Sequence, residues 1–299
     1  MTWGDGGTLA PNYRYGTGAL RRKFYLPHEH GAWWTLLTCM VSGDLVALRH
    51  HAAWPYLLMA TQGSLGVFMA SDWLWSLAGA LSGRGRPGRS DWRAWQGWLL
   101  AGVSALSLLT LFDFLGSAAW WGLFALLAAL GGAVLGMRLF LPLRHSFLLA
   151  FSSLLLTFPA LLAAAMAGQT GAALRFWLRP AIYFPAGVFF VQTWLRGGTV
   201  SWRRLAWASL PYAALLGLVA MGKDYLAVAA TFLYWARTMA RVLARRRQAR
   251  QSLAQPPAAG ARMLPPLSEI KKFGWEQVAW SLVLMTIWVA EFWGPAPRL

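Results

Sequence analysis

Apolar residues fall in long blocks along this chain, with polar and basic residues gathered between them. Nine blocks are legible, at about 31–48, 54–81, 95–115, 117–137, 146–167, 175–195, 205–221, 223–241 and 274–293. Each is close to the ~20 apolar residues a helix needs to cross ~30 Å of hydrocarbon. A membrane β-barrel would instead show alternating segments of ~10 residues. The pattern predicts an all-α, polytopic transmembrane bundle of about nine spans. The second block is long enough to tilt, or to break near Gly63 and Gly66. Pro180 and Pro185 predict a kink in the sixth, and Pro159 and Pro211 weaker ones in the fifth and seventh. Gly132 and Gly136 have the G-x-x-x-G spacing that lets helices approach closely.

The connections sort by charge. Of the 27 Lys and Arg, 22 lie in the amino-terminal arm and the second, fourth, sixth and eighth connections. The remaining 5 lie in the alternate connections and the carboxyl tail. Cytoplasmic loops carry such an excess, so the expected orientation is amino terminus inside and carboxyl terminus outside, in the inner (plasma) membrane. Four segments follow: an arm over 1–30, eight spans over 31–241, a basic Pro-rich linker over 242–273, and a ninth span with a short tail over 274–299.

Composition narrows this further. The chain of 299 residues is 58% hydrophobic and 12% charged, against about 25% charged in soluble domains. A net charge of +17 with 20 Trp would suit single-stranded nucleic acid, where basic grooves and aromatic platforms work together. Topology already accounts for the charge, so the expected partner is the lipid bilayer and no nucleic acid is called for. The single cysteine, Cys39, excludes a disulfide framework and a cysteine-based zinc site. Residues 1–26 lack the apolar segment of a cleavable signal peptide.

Candidate chemistry is sparse. His28, Glu29 and His30 stand at the entry to the first span. With His145 they could ligate a metal from one side of the bundle; alternatively the helix amino terminus and an imidazolium could hold an anion. The structural alternative, that they are polar interfacial residues capping the helix, is favoured, and no metal site is assigned. Asp72 and Glu276 lie in the cytoplasmic halves of their spans, where an ionisable side chain is either functional or paired with an Arg. Asp44, Asp113 and Glu291 fall toward the outer ends, within reach of water. Gln192, Arg196, Arg203 and Arg204 flank the sixth connection and, with Arg84, Arg86 and Arg89, create a positive field suited to a phosphate. The P-loop, G-x-S-x-G and H-E-x-x-H motifs are absent, and nothing calls for a cofactor.

Pro27-His28-Glu29-His30-Gly31-Ala32-Trp33 resembles the P-x-x-H-G-A-W opening of the YwiC-like integral membrane proteins. Phe189 to Arg196, followed by Trp202-Arg203-Arg204, is similar to that family's V-K-T-x-x-R span end, with Gln192 in place of its Lys. Lys271-Lys272-Phe273-Gly274-Trp275-Glu276 resembles its K-x-x-G-x-x-E entry to the last span. The resemblance implies an integral membrane protein and no particular activity.

A more distant likeness runs to the UbiA intramembrane prenyltransferases, nine-helix bundles with a cytoplasmic-facing active site. It rests on Gly136-Met137-Arg138 and Arg144-His145-Ser146 around the connection after the fourth span. Their Asp-rich Mg²⁺ motifs are missing here: Asp72 stands with Ser76 at one position, and Gln192 with Arg196 at the other. Mg²⁺ is held by carboxylates and substrate phosphates, so metal-dependent transfer is not expected.

These readings converge on an amphipathic isoprenoid or lipid with an anionic head, bound in a cytoplasmic-facing cavity. The residues expected to line it are His28, His30, Asp72, Gln192, Arg196, Arg203 and Glu276. The alternatives are a UbiA-like transferase working without an Asp-rich site, and a transporter or membrane assembly partner.

Overall fold

Each apolar block becomes helix in a computed structural model of the chain. It describes residues 30–49, 52–81, 95–115, 118–140, 146–166, 170–196, 201–253 and 267–293. The helices are α1 (His30–Arg49), α2 (Trp54–Leu81), α3 (Trp95–Leu115), α4 (Ala118–Phe140) and α5 (Ser146–Leu155). They continue with α6 (Phe158–Ala165), α7 (Thr170–Arg196), α8 (Trp202–Met221), α9 (Tyr225–Leu253) and α10 (Leu267–Trp293). Among the described residues there is no strand. Three stretches, Trp120–Met137, Phe147–Ala165 and Trp202–Met221, are long and apolar enough to cross a membrane.

The fifth apolar block forms two helices, not one kinked helix. Pro159 has no N–H to give to Leu155 and its ring crowds that carbonyl, so α5 stops at Leu155 and α6 begins at Phe158. Thr157 holds the break: its hydroxyl donates to the Leu154 carbonyl (2.7 Å) and accepts from Trp177 Nε1 on α7 (2.9 Å). In contrast, α7 runs through Pro180 and Pro185 without interruption. The second block likewise stays one helix past Gly63 and Gly66.

Cross-helix pairs fix the direction of each element. Asp44 meets Thr61, and Trp33 meets Phe68, so α1 and α2 are antiparallel. Arg179 meets Glu291 and Trp194 meets Phe273, which makes α7 and α10 antiparallel. The α8–α9 hairpin turns at Gly222–Lys223–Asp224, with Lys223 in the left-handed region at φ 58°. Asp224 Oδ1 accepts from the Ala227 N–H at 3.1 Å and so caps α9. Arg246 then returns to the level of Trp202. The start of α8, the end of α9 and the start of α10 consequently share one end of the bundle. That end carries Arg203, Arg204, Arg237, Arg241, Arg245, Arg246, Arg247, Lys271 and Lys272.

Apolar side chains face both inward and outward. Inside are Phe176, Phe190, Tyr212, Leu215, Tyr234 and Trp288. Outside, Leu99, Val103, Leu106 and Leu109 of α3 and Leu226, Phe232 and Leu233 of α9 stand exposed. Contiguous apolar surface on this scale marks a face built to meet an apolar phase or a partner. Where α1 crosses α6, a Cβ on Gly43 would lie 2.8 Å from the Ala160 Cα, so only glycine allows the approach.

Candidate functional site

Two features of the bundle combine polarity with a defined shape. The first is a polar file between α7 and α10, joined by α8 and α9. The helical register of α10 places Phe273, Gln277, Ser281, Leu284, Trp288 and Glu291 on one side; that of α7 presents Arg179, Tyr183, Phe190 and Trp194 toward it.

At one end of the file Arg179, only 4% exposed, grips Glu291 with both terminal nitrogens, Nη2 reaching Oε1 at 2.7 Å. Its guanidinium also lies 5.2 Å from the Phe292 ring centroid. In the middle, Tyr212 donates to the Tyr234 hydroxyl (3.2 Å), and Tyr234 donates to Gln277 Oε1. Tyr183 and Ser281 share a hydrogen bond of 3.3 Å, while Ser281 Oγ donates to the Gln277 carbonyl at 2.7 Å. All three tyrosines are buried. At the other end Glu276 is held by Arg241 and Arg237, and Trp194 stacks on Phe273 with ring centroids 4.7 Å apart.

Most of the polar groups in this file are paired, although Arg179 Nε and Trp288 Nε1 are buried without a hydrogen-bond partner. Buried polar groups in such networks rigidify and specify the packing of the helices they join. It offers no open surface to a substrate, and its chemistry is structural.

The second feature is open. Between α1 and α10 runs a groove of about 700 Å³, lined by Trp34, Thr38, Val41 and Leu45 on one side and by Leu282, Met285 and Val289 on the other. Its size lies within the roughly 300–1,000 Å³ of small-molecule sites. The lining is apolar except for hydroxyls and one indole. Thr38 and Ser42 donate their hydroxyl protons back to the carbonyls of Trp34 and Thr38, both at 2.7 Å. The Trp34 Nε1 donor is buried and has no hydrogen-bond partner. From Trp34 to Leu45 the groove follows α1 for about 16 Å at 1.5 Å per residue.

Of the residues expected to form a site, His28 lies outside the described residues. His30 opens α1, Asp72 lies in α2 and Arg196 ends α7; their side chains are outside what the structure describes. Gln192 is half-buried on α7, and Arg203 is exposed in the first turn of α8. Among the described residues no hydrogen bond or ion pair joins Gln192, Arg203 and Glu276 to one another, and none of them lines the groove. Glu276 has the Arg partners weighed as its structural alternative. Glu291 is not simply a water-exposed outer acid, because Arg179 holds it.

The sequence reading missed the groove, the tyrosine file and Arg179. Tyr183, Tyr212 and Tyr234 each fall on a buried stripe of three- and four-residue steps, which was the available signal. Nothing in the order of residues announces a groove between two helices so far apart in the chain.

No family model, curated protein or solved structure matches the chain. Among the described residues no three of His, Cys, Asp and Glu come together as a metal-binding group.

Proposed function

We propose that this is a nine-span inner-membrane protein, α5 and α6 together making one span, that holds the apolar chain of an amphipathic lipid or isoprenoid in the α1–α10 groove. The observation that carries this reading is the groove itself, apolar along its length and ending at an unpartnered indole N–H. Trp34 stands one turn from His30, so the polar end of the groove adjoins the amino terminus of α1. The helix dipole favours an anionic head there. The orientation, with this end in the cytoplasm, follows from the basic residues gathered on it.

The resemblance to YwiC-like membrane proteins accords with this reading and adds no chemistry to it. A UbiA-like bundle is compatible with the spans, but binding is the better-supported activity. Among the described residues the groove is lined by apolar side chains, hydroxyls and an indole, which suit binding of an apolar chain.

The test is extraction of lipid from protein purified from membranes in mild detergent, with identification by mass spectrometry. The wild-type protein is expected to retain one amphipathic lipid class. Val41→Trp and Leu282→Trp, which fill the groove from exposed positions, are expected to lose it. Identical lipid content in all three would remove the proposal.

A further inference from the structure

The basic end of the α8–α9 hairpin contains an arrangement that topology alone does not require. Arg246 of α9 is 6% exposed, yet it lies against an aromatic ring: its guanidinium sits 4.1 Å from the centroid of Trp202, the first residue of α8. Its buried Nε has no hydrogen-bond partner. A ring face attracts a cation but does not satisfy the N–H donors of a guanidinium. A buried guanidinium without a carboxylate is an uncompensated charge.

The surroundings add to that charge. Ser201 caps α8 by accepting from the Arg204 N–H at 3.3 Å. The N–H groups of Trp202 and Arg203, at the first two helical positions, have no partner within the helix. The positive end of the α8 dipole points the same way. The first turn carries no acid; it carries Arg203 and Arg204, both exposed. Cations in a first turn oppose the dipole, so this turn is destabilised unless an anion joins it. Glu276 does not serve, because Arg237 and Arg241 engage it.

The geometry points to an oxyanion site at the start of α8, built from Arg246 over the Trp202 ring, the exposed Arg203 and Arg204, and the N–H groups of the first turn, and selective for a phosphate group. Arg presents a planar fork that matches phosphate oxygens, and the Trp202 ring beneath Arg246 holds this guanidinium at the start of α8. The phosphate could belong to a soluble ion or to a lipid headgroup at the membrane surface. This inference does not rest on the α1–α10 groove, which is formed by other helices.

Two probes distinguish the sources. The full-length protein in detergent is titrated with inorganic phosphate by calorimetry. The same protein in nanodiscs of phosphatidylcholine, with and without phosphatidic acid, is examined by native mass spectrometry. Binding of either probe, weakened about tenfold or more in Arg246→Gln as expected for loss of a charge-assisted contact, supports the site. Phosphate alone identifies a soluble anion; phosphatidic acid alone identifies a headgroup.

Absence of binding by both probes overturns it, as does equal binding by wild type and Arg246→Gln. If Arg246→Gln does not fold, the exposed pair Arg203→Gln with Arg204→Gln decides: weakened binding supports the site and unchanged binding overturns it. A lipid lost from the groove variants with phosphate binding intact would separate the two proposals.

Discussion

Arg179 of α7 and Glu291 of α10 form a two-pronged ion pair across 112 positions of sequence, with side-chain exposures of 5% and 24%. Breaking such a pair on one side leaves a buried charge, which costs about 3–5 kcal/mol. Glu291 is partly exposed, so Glu291→Gln is expected near the lower end, about 3 kcal/mol, in reversible unfolding in detergent. The double change Arg179→Met with Glu291→Leu removes both charges and is expected to recover most of that loss. A double variant no more stable than the single would show that the pair is not the unit of stability.

The tyrosine file makes a finer distinction. Tyr234→Phe takes the acceptor from Tyr212 and the donor from Gln277 at once. Unsatisfied buried polar groups cost roughly 1–3 kcal/mol each, so a loss of about 2–4 kcal/mol is expected. Tyr183→Phe removes one long bond of 3.3 Å, and Ser281 keeps its bond to the Gln277 carbonyl. Its cost is expected to stay below about 1 kcal/mol. Equal losses in chemical unfolding of the two variants would contradict the assignment of Tyr234 as the centre of the file.

Two glycines that look alike in sequence are expected to behave oppositely. At Gly43 a methyl group would meet the Ala160 backbone at 2.8 Å and the Ala163 side chain at 3.0 Å. Backbone cannot rotate aside, so Gly43→Ala is expected to cost about 1–3 kcal/mol by overpacking. At Gly132, half of the G-x-x-x-G pair, a Cβ meets nothing within 4 Å. There Gly132→Ala is expected to be neutral, or to stabilise α4 by up to about 1 kcal/mol through helix propensity. Thermal unfolding of the two single variants gives the comparison.

Helix existence was legible because each helix carries a continuous apolar block, and that pattern is local. The boundaries drifted where charge extends a helix beyond its apolar block. α9 continues through Arg245, Arg246 and Arg247 to Leu253, and α10 starts at Leu267, seven residues ahead of its apolar run. Arg and Lys are good helix formers in water, so hydropathy stops earlier than the backbone does. The split at Thr157 depended on a tertiary bond to Trp177 as well as on Pro159. Pairing across the bundle was the least legible, as with Arg179 and Glu291, whose partnership across 112 positions no local pattern announces.

The proposed sidedness of the bundle underlies both the lipid reading of the groove and the proposed orientation of the charged ends. It is tested by exchanging Cys39 for Ser and introducing Ser201→Cys or Lys223→Cys, at opposite ends of α8, then labelling intact cells with a membrane-impermeant maleimide. Labelling is expected at position 223 alone, with position 201 reacting only after the cells are opened. Labelling of position 201 in intact cells would contradict the orientation, and labelling of both would contradict the passage of α8 through the membrane.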